Sequence, residues 1–410
     1  MKKNLLTLLI LLSISFNDLV YSQAWNPISS GTAAVISSVD FVNDQVGLIV
    51  GASGLIKKTT DGGSVWIPQT SGIGSDLSEV RFVDINNAYV VGRNGVILKT
   101  TNGGTNWSLL SSGVSSDLTR ICVNGSDIYV TGYDGVILKS TNAGSTWTAL
   151  PSGTTTYLYG VHFTDANTGY VVGYLGTILK TTNAGATWTP LSSGSSMQLL
   201  CVKFTDANTG FIVGGDIPSN TATILKTTDA GANWTSQTMS NNYFGNVRFL
   251  NSNIGFIAGG SITGNTSTIL KTSDGGLNWA TQTTSVARQF GLSIPNGSAG
   301  YSSGLNGAML KTSGIVGLEE LDSYNYDLKV FPNPIGAENA YIQFILSKET
   351  KISLKVFDIS GKECMIIADQ NMPSGKQELK LNTTDLSNGI YFIRIQSEDG
   401  LQTIKIIKEK

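Results

Sequence analysis

Tryptophan occurs in this chain only as a periodic series: Trp25, Trp66, Trp107, Trp147, Trp188, Trp234 and Trp279, at spacings of 41, 41, 40, 41, 46 and 45 residues. A period near 40 residues points to a propeller or a solenoid before any other architecture. In the unit LYGVHFTDANTGYVVGYLGTILKTTNAGATW, alternation and turn residues predict strands at 158–163, 170–172 and 177–181, with a fourth at Trp188. Asn, Asp and Gly between them supply the positive-φ corners that tight connections need. Four short strands per period make a propeller blade. No segment carries a helical period, and a β-helix usually repeats over fewer residues.

The blade count follows from an offset between two series. Lysine followed by Thr or Ser recurs at Lys58, Lys99, Lys139, Lys180, Lys226, Lys271 and Lys311, yet Trp25 precedes the first lysine and no Trp follows the last. In a closed ring, the strand at Trp25 completes the blade that contains Lys311. Seven blades are expected, closed by pairing of the two ends so that no gap remains between first and last.

The turns TTDGGSVW (59–66), TTNGGTNW (100–107), STNAGSTW (140–147), TTNAGATW (181–188), TTDAGANW (227–234) and TSDGGLNW (272–279) resemble the Asp-box of sialidases. With the preceding I-L-K and the following D-A-N-T-G turn, the unit resembles the photosystem II assembly and stability factors and their bacterial relatives. That resemblance implies the propeller fold and leaves function open, because one propeller serves many tasks. The box residues Asp61, Asn102, Asn142, Asn183, Asp229 and Asp274 recur in six units and three of them are Asn, so they read as turn-forming residues.

The ends of the chain carry an address. Lys2 and Lys3 precede an apolar run at 5–14, and Val20 and Ser22 suit a signal-peptidase site before Gln23. Residues 1–22 are therefore expected to be an export signal, 23–318 the propeller and 319–327 a linker marked by Glu319, Glu320 and Asp322. Residues 328–410, with strand-like runs from LKVF to TIKIIK, are expected to form a small immunoglobulin-like β-sandwich. The fold class expected for the whole is all-β. The patterns VFPNP (330–334), LKVFDISGKE (354–363) and LSNGIYFIRI (386–395), with a basic tail, resemble the type A sorting domain of the Bacteroidota type IX secretion system. That resemblance implies secretion machinery and a sorting enzyme as partners, with membrane association only through anchoring after secretion.

A formal net charge of −2 gives no broad field for nucleic acid. Three cysteines, Cys122, Cys201 and Cys364, form no disulfide framework and read as small buried hydrophobes. One histidine, His162, leaves no His-rich metal site, and neither a metal nor a cofactor is expected. The propeller has a single glutamate, Glu79, and none of its arginines lies in a sialidase motif, so no catalytic residue is assigned. Asp76 with Glu79, or Asp117 with Asp134, are the carboxylate pairs that loops could bring together.

Function should lie where the repeats differ. The central position of the V-x-F strand holds Asp40, Arg81, Cys122, His162, Lys203, Arg248 and Ser293, which would approach the central channel if this strand is innermost. Arg81, Lys203 and Arg248 there would meet either an anionic ligand or water and local acids such as Asp206. The loops on one face carry Arg93, Tyr133, Asp134, Tyr157, Tyr174, Tyr243 and Arg288, and those at 214–223 and 259–268 are longer than their counterparts. Exposed Tyr with Arg suits carbohydrate or protein recognition. The expected function is a secreted recognition module for glycan or protein; the alternatives are a divergent sialidase-like hydrolase and a purely structural surface protein.

Overall fold

The computed structural model describes residues 24–313 apart from 283–285 and 296–297, and residues 326–409 apart from 337–339, 359–362, 385 and 398–399. The expected export signal and most of the linker lie outside the described residues. The first region is a ring of seven four-stranded antiparallel sheets. Blade four shows the plan: Leu158–Phe163 innermost, then Gly169–Gly173, Ile178–Thr181 and the outer Thr189–Leu191. Second strands are buried along all or nearly all of their length because a neighbouring blade covers each face, which is why they read as apolar runs such as GYVVG. Each tryptophan stands one residue before its outer strand rather than on it.

The ring closes as the offset predicts. Asn26–Ile28 is the outer strand of the seventh blade, with Asn26, Pro27 and Ile28 opposite Lys311, Leu310 and Met309. Trp25 is buried and packs edge-on against Phe256 at 5.9 Å.

Blades are fastened by residues the repeat supplies. A ring on a second strand stacks on the phenylalanine that ends the next blade's innermost strand: Tyr129 on Phe163 at 4.0 Å, Tyr170 on Phe204 at 4.1 Å, Phe211 on Phe249 at 4.4 Å, and Tyr301 on Phe41 across the closure at 3.6 Å. That phenylalanine meets its own blade's tryptophan edge-on, as Phe163 does Trp188 at 6.1 Å. Stacked and edge-on pairs each contribute about 0.5–1.5 kcal/mol beyond their buried area. The glycine that opens the second strand makes room, since a Cβ on Gly169 would stand 2.6 Å from the Phe163 ring.

The repeated lysine is the second fastener. Opposite the stacked ring, Lys180 lies 5.3 Å above Tyr170 and donates from Nζ to the Ala230 carbonyl of the next blade's Asp-box turn at 2.8 Å. Lys99 to Ala143, Lys139 to Ala184, Lys226 to Gly275 and Lys311 to Gly62 repeat the bond, the last of them closing the ring. The box itself is a turn lock. Thr181 Oγ1 donates to Asn183 Oδ1 and accepts from Gly185 N–H, while Asn183 Oδ1 accepts from Thr187 N–H. Aspartate does the same in other blades, as Asp229 does for Asn233 N–H, so Asn and Asp are interchangeable here.

The second region is a β-sandwich of a three-stranded and a four-stranded antiparallel sheet. Ile342, Phe344, Leu354, Val356, Ile393 and Ile395 are among the residues that fill its core. The core also takes in Tyr326, inside the segment read as linker: its hydroxyl shares a hydrogen bond with Ser397 and its amide donates to Gln402. The cysteines form no disulfide, but Cys364 is exposed and Cys122 only half-buried, so of the three only Cys201 is the buried hydrophobe expected. Position 364 alternates outward on an edge strand of the sandwich.

Lys180→Met keeps the packing and removes the charged hydrogen bond to the next blade. It should cost about 1.5–3 kcal/mol, read as a lower guanidinium midpoint at unchanged slope.

Candidate functional site

Every innermost strand skips one residue of register near its start, between Leu77 and Glu79 and between Leu118 and Arg120, and likewise in the other five blades. The bulge frees the second residue from the ladder. Three layers of side chains result along the channel. At the loop end stand second-position residues including Tyr159, Leu200 and Phe290; in the middle lie Glu79 and Arg120; at the Asp-box end comes the expected ring from Asp40 to Ser293. Two cavities, of about 530 Å³ at the loop end and about 510 Å³ at the Asp-box end, meet at Arg120, which lines both.

At the loop end, one turn position is reused. Arg93, Tyr133 and Tyr174 each open a tight turn after a second strand, with Asn94, Asp134 and Leu175 following at φ of 57°, 57° and 54°. The first residue's amide binds the carbonyl just before its own blade's innermost strand: Arg93 to Asp76, Tyr133 to Asp117 and Tyr174 to Tyr157. The turn glycine is obligatory, because a Cβ on Gly135 would meet the Thr154 carbonyl at 1.9 Å.

Between these turns, the residue preceding each innermost strand sets the chemistry. Asp76 accepts the Ser53 amide and Asp117 the Asn94 amide, each locking the turn of the blade before. At the next junction Tyr157 takes that place. Its ring stacks on Tyr133 at 4.1 Å and lies 6.2 Å from Tyr174, while Tyr159 meets Tyr133 edge-on at 6.1 Å. Tyr157 and Tyr174 remain 41% and 38% exposed, so a four-ring cluster sits open to solvent across blades three and four. Burial pushes the Tyr133 hydroxyl up, and raises that of Tyr243 to about 12, so both are neutral hydrogen-bonding groups at physiological pH.

Arg93, with a side chain 60% exposed, stands beside Asp76 and Asp117 at 3.4 and 3.9 Å on the rim of the loop-end cavity. Across it, Tyr243 donates to Gln198 Oε1, and Arg288 lies over the Tyr243 and Phe290 rings at 5.9 and 5.0 Å. The cavity wall therefore joins Arg93, Tyr133 and Tyr243 from the expected set, while Tyr157, Tyr174, Asp134 and Arg288 lie outside that wall. The two long hairpins also meet: Asn220 bonds Ser261, Thr263 and the Ile262 amide. Sequence reasoning missed Tyr159 and Phe290; the signal was the second position of the innermost strand, which varies as widely as the aligned fifth.

Neither expected carboxylate pair forms. Asp76 faces the loops, whereas Glu79 lies in the channel and accepts the Ile121 amide at 2.6 Å. Asp117 serves Asn94, and Asp134 instead accepts the Ser116 hydroxyl at 2.9 Å. Asp206 does not answer the channel cations either, because it accepts the Asn208 and Thr209 amides of its own turn. That task falls to Glu79. Its Oε1 is 2.9 Å from Arg81, 3.4 Å from Arg120 and 3.9 Å from Arg248, and Arg120 reaches on to the Gly245 carbonyl. Burial pushes the Glu79 carboxyl up, but Arg81, Arg120, Arg248 and the Ile121 amide outweigh it and hold it below the ordinary range. No group of three or more His, Cys, Asp or Glu residues that could hold a metal occurs among the described residues.

The family described as photosynthesis system II assembly factor YCF48 matches residues 17–110, 72–156 and 191–286, and the secretion system C-terminal sorting domain matches residues 329–409. No curated protein matches the chain in sequence. Among solved structures, YCF48 bound to D1 peptide superposes with a TM-score of 0.58 at 20% identity, over 70% of this chain and 94% of that one. YCF48 from Cyanidioschyzon merolae gives 0.57 at 20% identity, over 71% and 98%. A GH74 xyloglucanase from Xanthomonas campestris gives 0.57 at 13% identity, over 71% of this chain and 54% of that one. At these identities the structural likeness is one of fold.

Glu79→Gln would leave three arginines around a neutral amide and should cost about 3–5 kcal/mol at pH 7. Because the folded carboxyl titrates below its unfolded value, its stabilisation is complete above the ordinary glutamate range and is lost as pH falls through the depressed value. Denaturant midpoints of wild type and variant should therefore converge in strong acid.

Proposed function

This chain belongs to the photosynthesis system II assembly factor YCF48 family and ends in a secretion system C-terminal sorting domain; from that premise we propose that it recognises an extended protein segment on its loop-bearing face, outside the cell. The sorting domain marks it for type IX export to the outer surface or the medium.

The observation that carries the reading is the Tyr133–Tyr157–Tyr174 cluster beside the cavity edged by Arg93. Rings already stacked on one another lose little freedom on binding, and Tyr and Arg are the side chains that dominate interface energies. A relative of the same fold solved with a peptide supports a protein segment as the ligand class. A glycan is the second reading, favoured by the outward exposure of Tyr157 and Tyr174.

A hydrolase draws less support from the same face. A retaining glycosidase needs a protonated acid and a free nucleophile. Here Asp76 and Asp117 are committed to turn amides beside Arg93, and Glu79 is held ionised among arginines.

The test is retention of the full chain on peptide and glycan arrays, with eluates assayed for cleaved product. Peptide binding should weaken roughly 30-fold or more in Tyr157→Ala/Tyr174→Ala, as expected when a hot spot of about 2 kcal/mol or more is removed. Loss of only glycan binding in that variant would favour the second reading. Product release, or binding indifferent to the variant, would overturn recognition at this face.

A further inference from the structure

The ring at the Asp-box end of the channel has a regular structural task. Asp40 Oδ2 accepts the Phe82 amide of the next blade at 2.8 Å, and Ser293 Oγ accepts the Phe41 amide at 3.0 Å. Each of these bonds covers the open edge of the innermost strand it reaches, whose donor would otherwise face the channel. Lys203 and Arg248 occupy the same position in adjacent blades and have no lone pair to offer the equivalent amides of Phe249 and Ile294. On this arc of the ring, as at Arg81, donors stand where Asp40 and Ser293 are acceptors.

The charges are unbalanced in the same direction. Arg81, Arg120, Lys203 and Arg248 are four cations against the two carboxylates Asp40 and Glu79, an excess of two. Glu79 is shared among three arginines, and Asp40 is taken by Arg81 at 3.1 Å and by the Phe82 amide. Among the described residues no carboxylate lies within 4.0 Å of Lys203. The groups acting on the Lys203 amine are Arg248, Arg81 and the Cys122 and Cys201 thiols; His162 feels it in turn. Burial, then Arg248 and Arg81, push that amine down to about 8. Burial, then Lys203 and Arg248, keep His162 neutral well below its ordinary value.

We propose that the Asp-box end of the channel is a binding site for a phosphate or sulfate group, held by Lys203 and Arg248 with Arg81 behind them. A doubly charged oxyanion matches the excess of two and brings acceptor oxygens to an arc that lacks them. The cavity of about 510 Å³ accommodates the free ion or a small molecule ending in the group. This site lies at the other end of the channel from the tyrosine face and stands independently of the protein-segment reading.

The test is calorimetric titration of the full chain at pH 7 with sodium sulfate, sodium phosphate and glucose 6-sulfate, each against sodium chloride at matched ionic strength. One saturable site is expected for at least one of the three. Inorganic ions alone would identify a free anion as the ligand, and the sugar sulfate alone would identify an end group. Affinity should fall at least tenfold in Lys203→Met and survive largely in Lys203→Arg. Without anion, Lys203→Met should have the higher melting temperature at pH 7, because an amine with a depressed folded pKa destabilises the fold below that value and ceases to do so as pH rises from about 8 toward the ordinary lysine range. Should neither variant fold, the wild-type sulfate affinity still decides, since sulfate keeps its charge while Lys203 loses its own, and the affinity should drop as pH passes about 8. No saturable binding by any of the three, or binding that Lys203→Met or the pH rise leaves unchanged, would overturn the proposal.

Discussion

An aromatic ring of one blade lies flat on the phenylalanine of the next, with a lysine above it reaching into the neighbour's turn. Tyr170, Phe204 and Lys180 show the arrangement, and Tyr301, Phe41 and Lys311 repeat it across the closure between last blade and first. A four-stranded blade has two apolar faces and cannot stand alone; the ring is the arrangement that covers all of them. The Asp-box turn belongs to this joint, since its carbonyl receives the lysine while its Asn or Asp holds the turn closed. The repeat is thus conserved along the chain as a connector, and none of its recurring polar residues is left over for chemistry.

Freed from that task, the two ends of the innermost strands differ from blade to blade. At the loop end, the change from Asp76 and Asp117 to Tyr157 turns a position that locks a neighbouring turn into one that stacks on it, and an aromatic cluster opens to solvent. At the other end, the change from Asp40 and Ser293 to Lys203 and Arg248 replaces acceptors with donors. Both follow one rule: a position with a fixed structural duty is given a side chain that cannot perform it. Glu79 stands between the two ends, where it bridges Arg81 and Arg120 and offsets the repulsion among the channel's cations.

Much of this was legible beforehand. The offset of Trp25 from Lys311 predicts the closure, and the aligned strands predict the ring from Asp40 to Ser293. What escaped has specific causes. A bulge at the second residue of every innermost strand turns one further layer inward, so Tyr159 and Phe290 could not be placed by simple alternation, whereas Glu79 and Arg120 stand two residues from Arg81 and Cys122 on the same face. Asp206 is close to Lys203 in sequence, but its carboxylate is consumed by its own turn, and Glu79, blades away, answers Arg248 and not Lys203. The lysine series served to count blades although its reach to the neighbouring carbonyl was invisible, because that partner lies some 45 residues on, as Ala184 does from Lys139.

The most direct test of this division of labour is hydrogen–deuterium exchange on the full chain, alone and with a peptide it retains. Recognition at the loop face predicts new protection in the turns around Tyr133, Tyr157 and Tyr174, with the Asp-box turns from Asp61 to Asp274 unchanged. Protection centred on the Asp-box turns, with the tyrosine turns exchanging as before, would contradict the account.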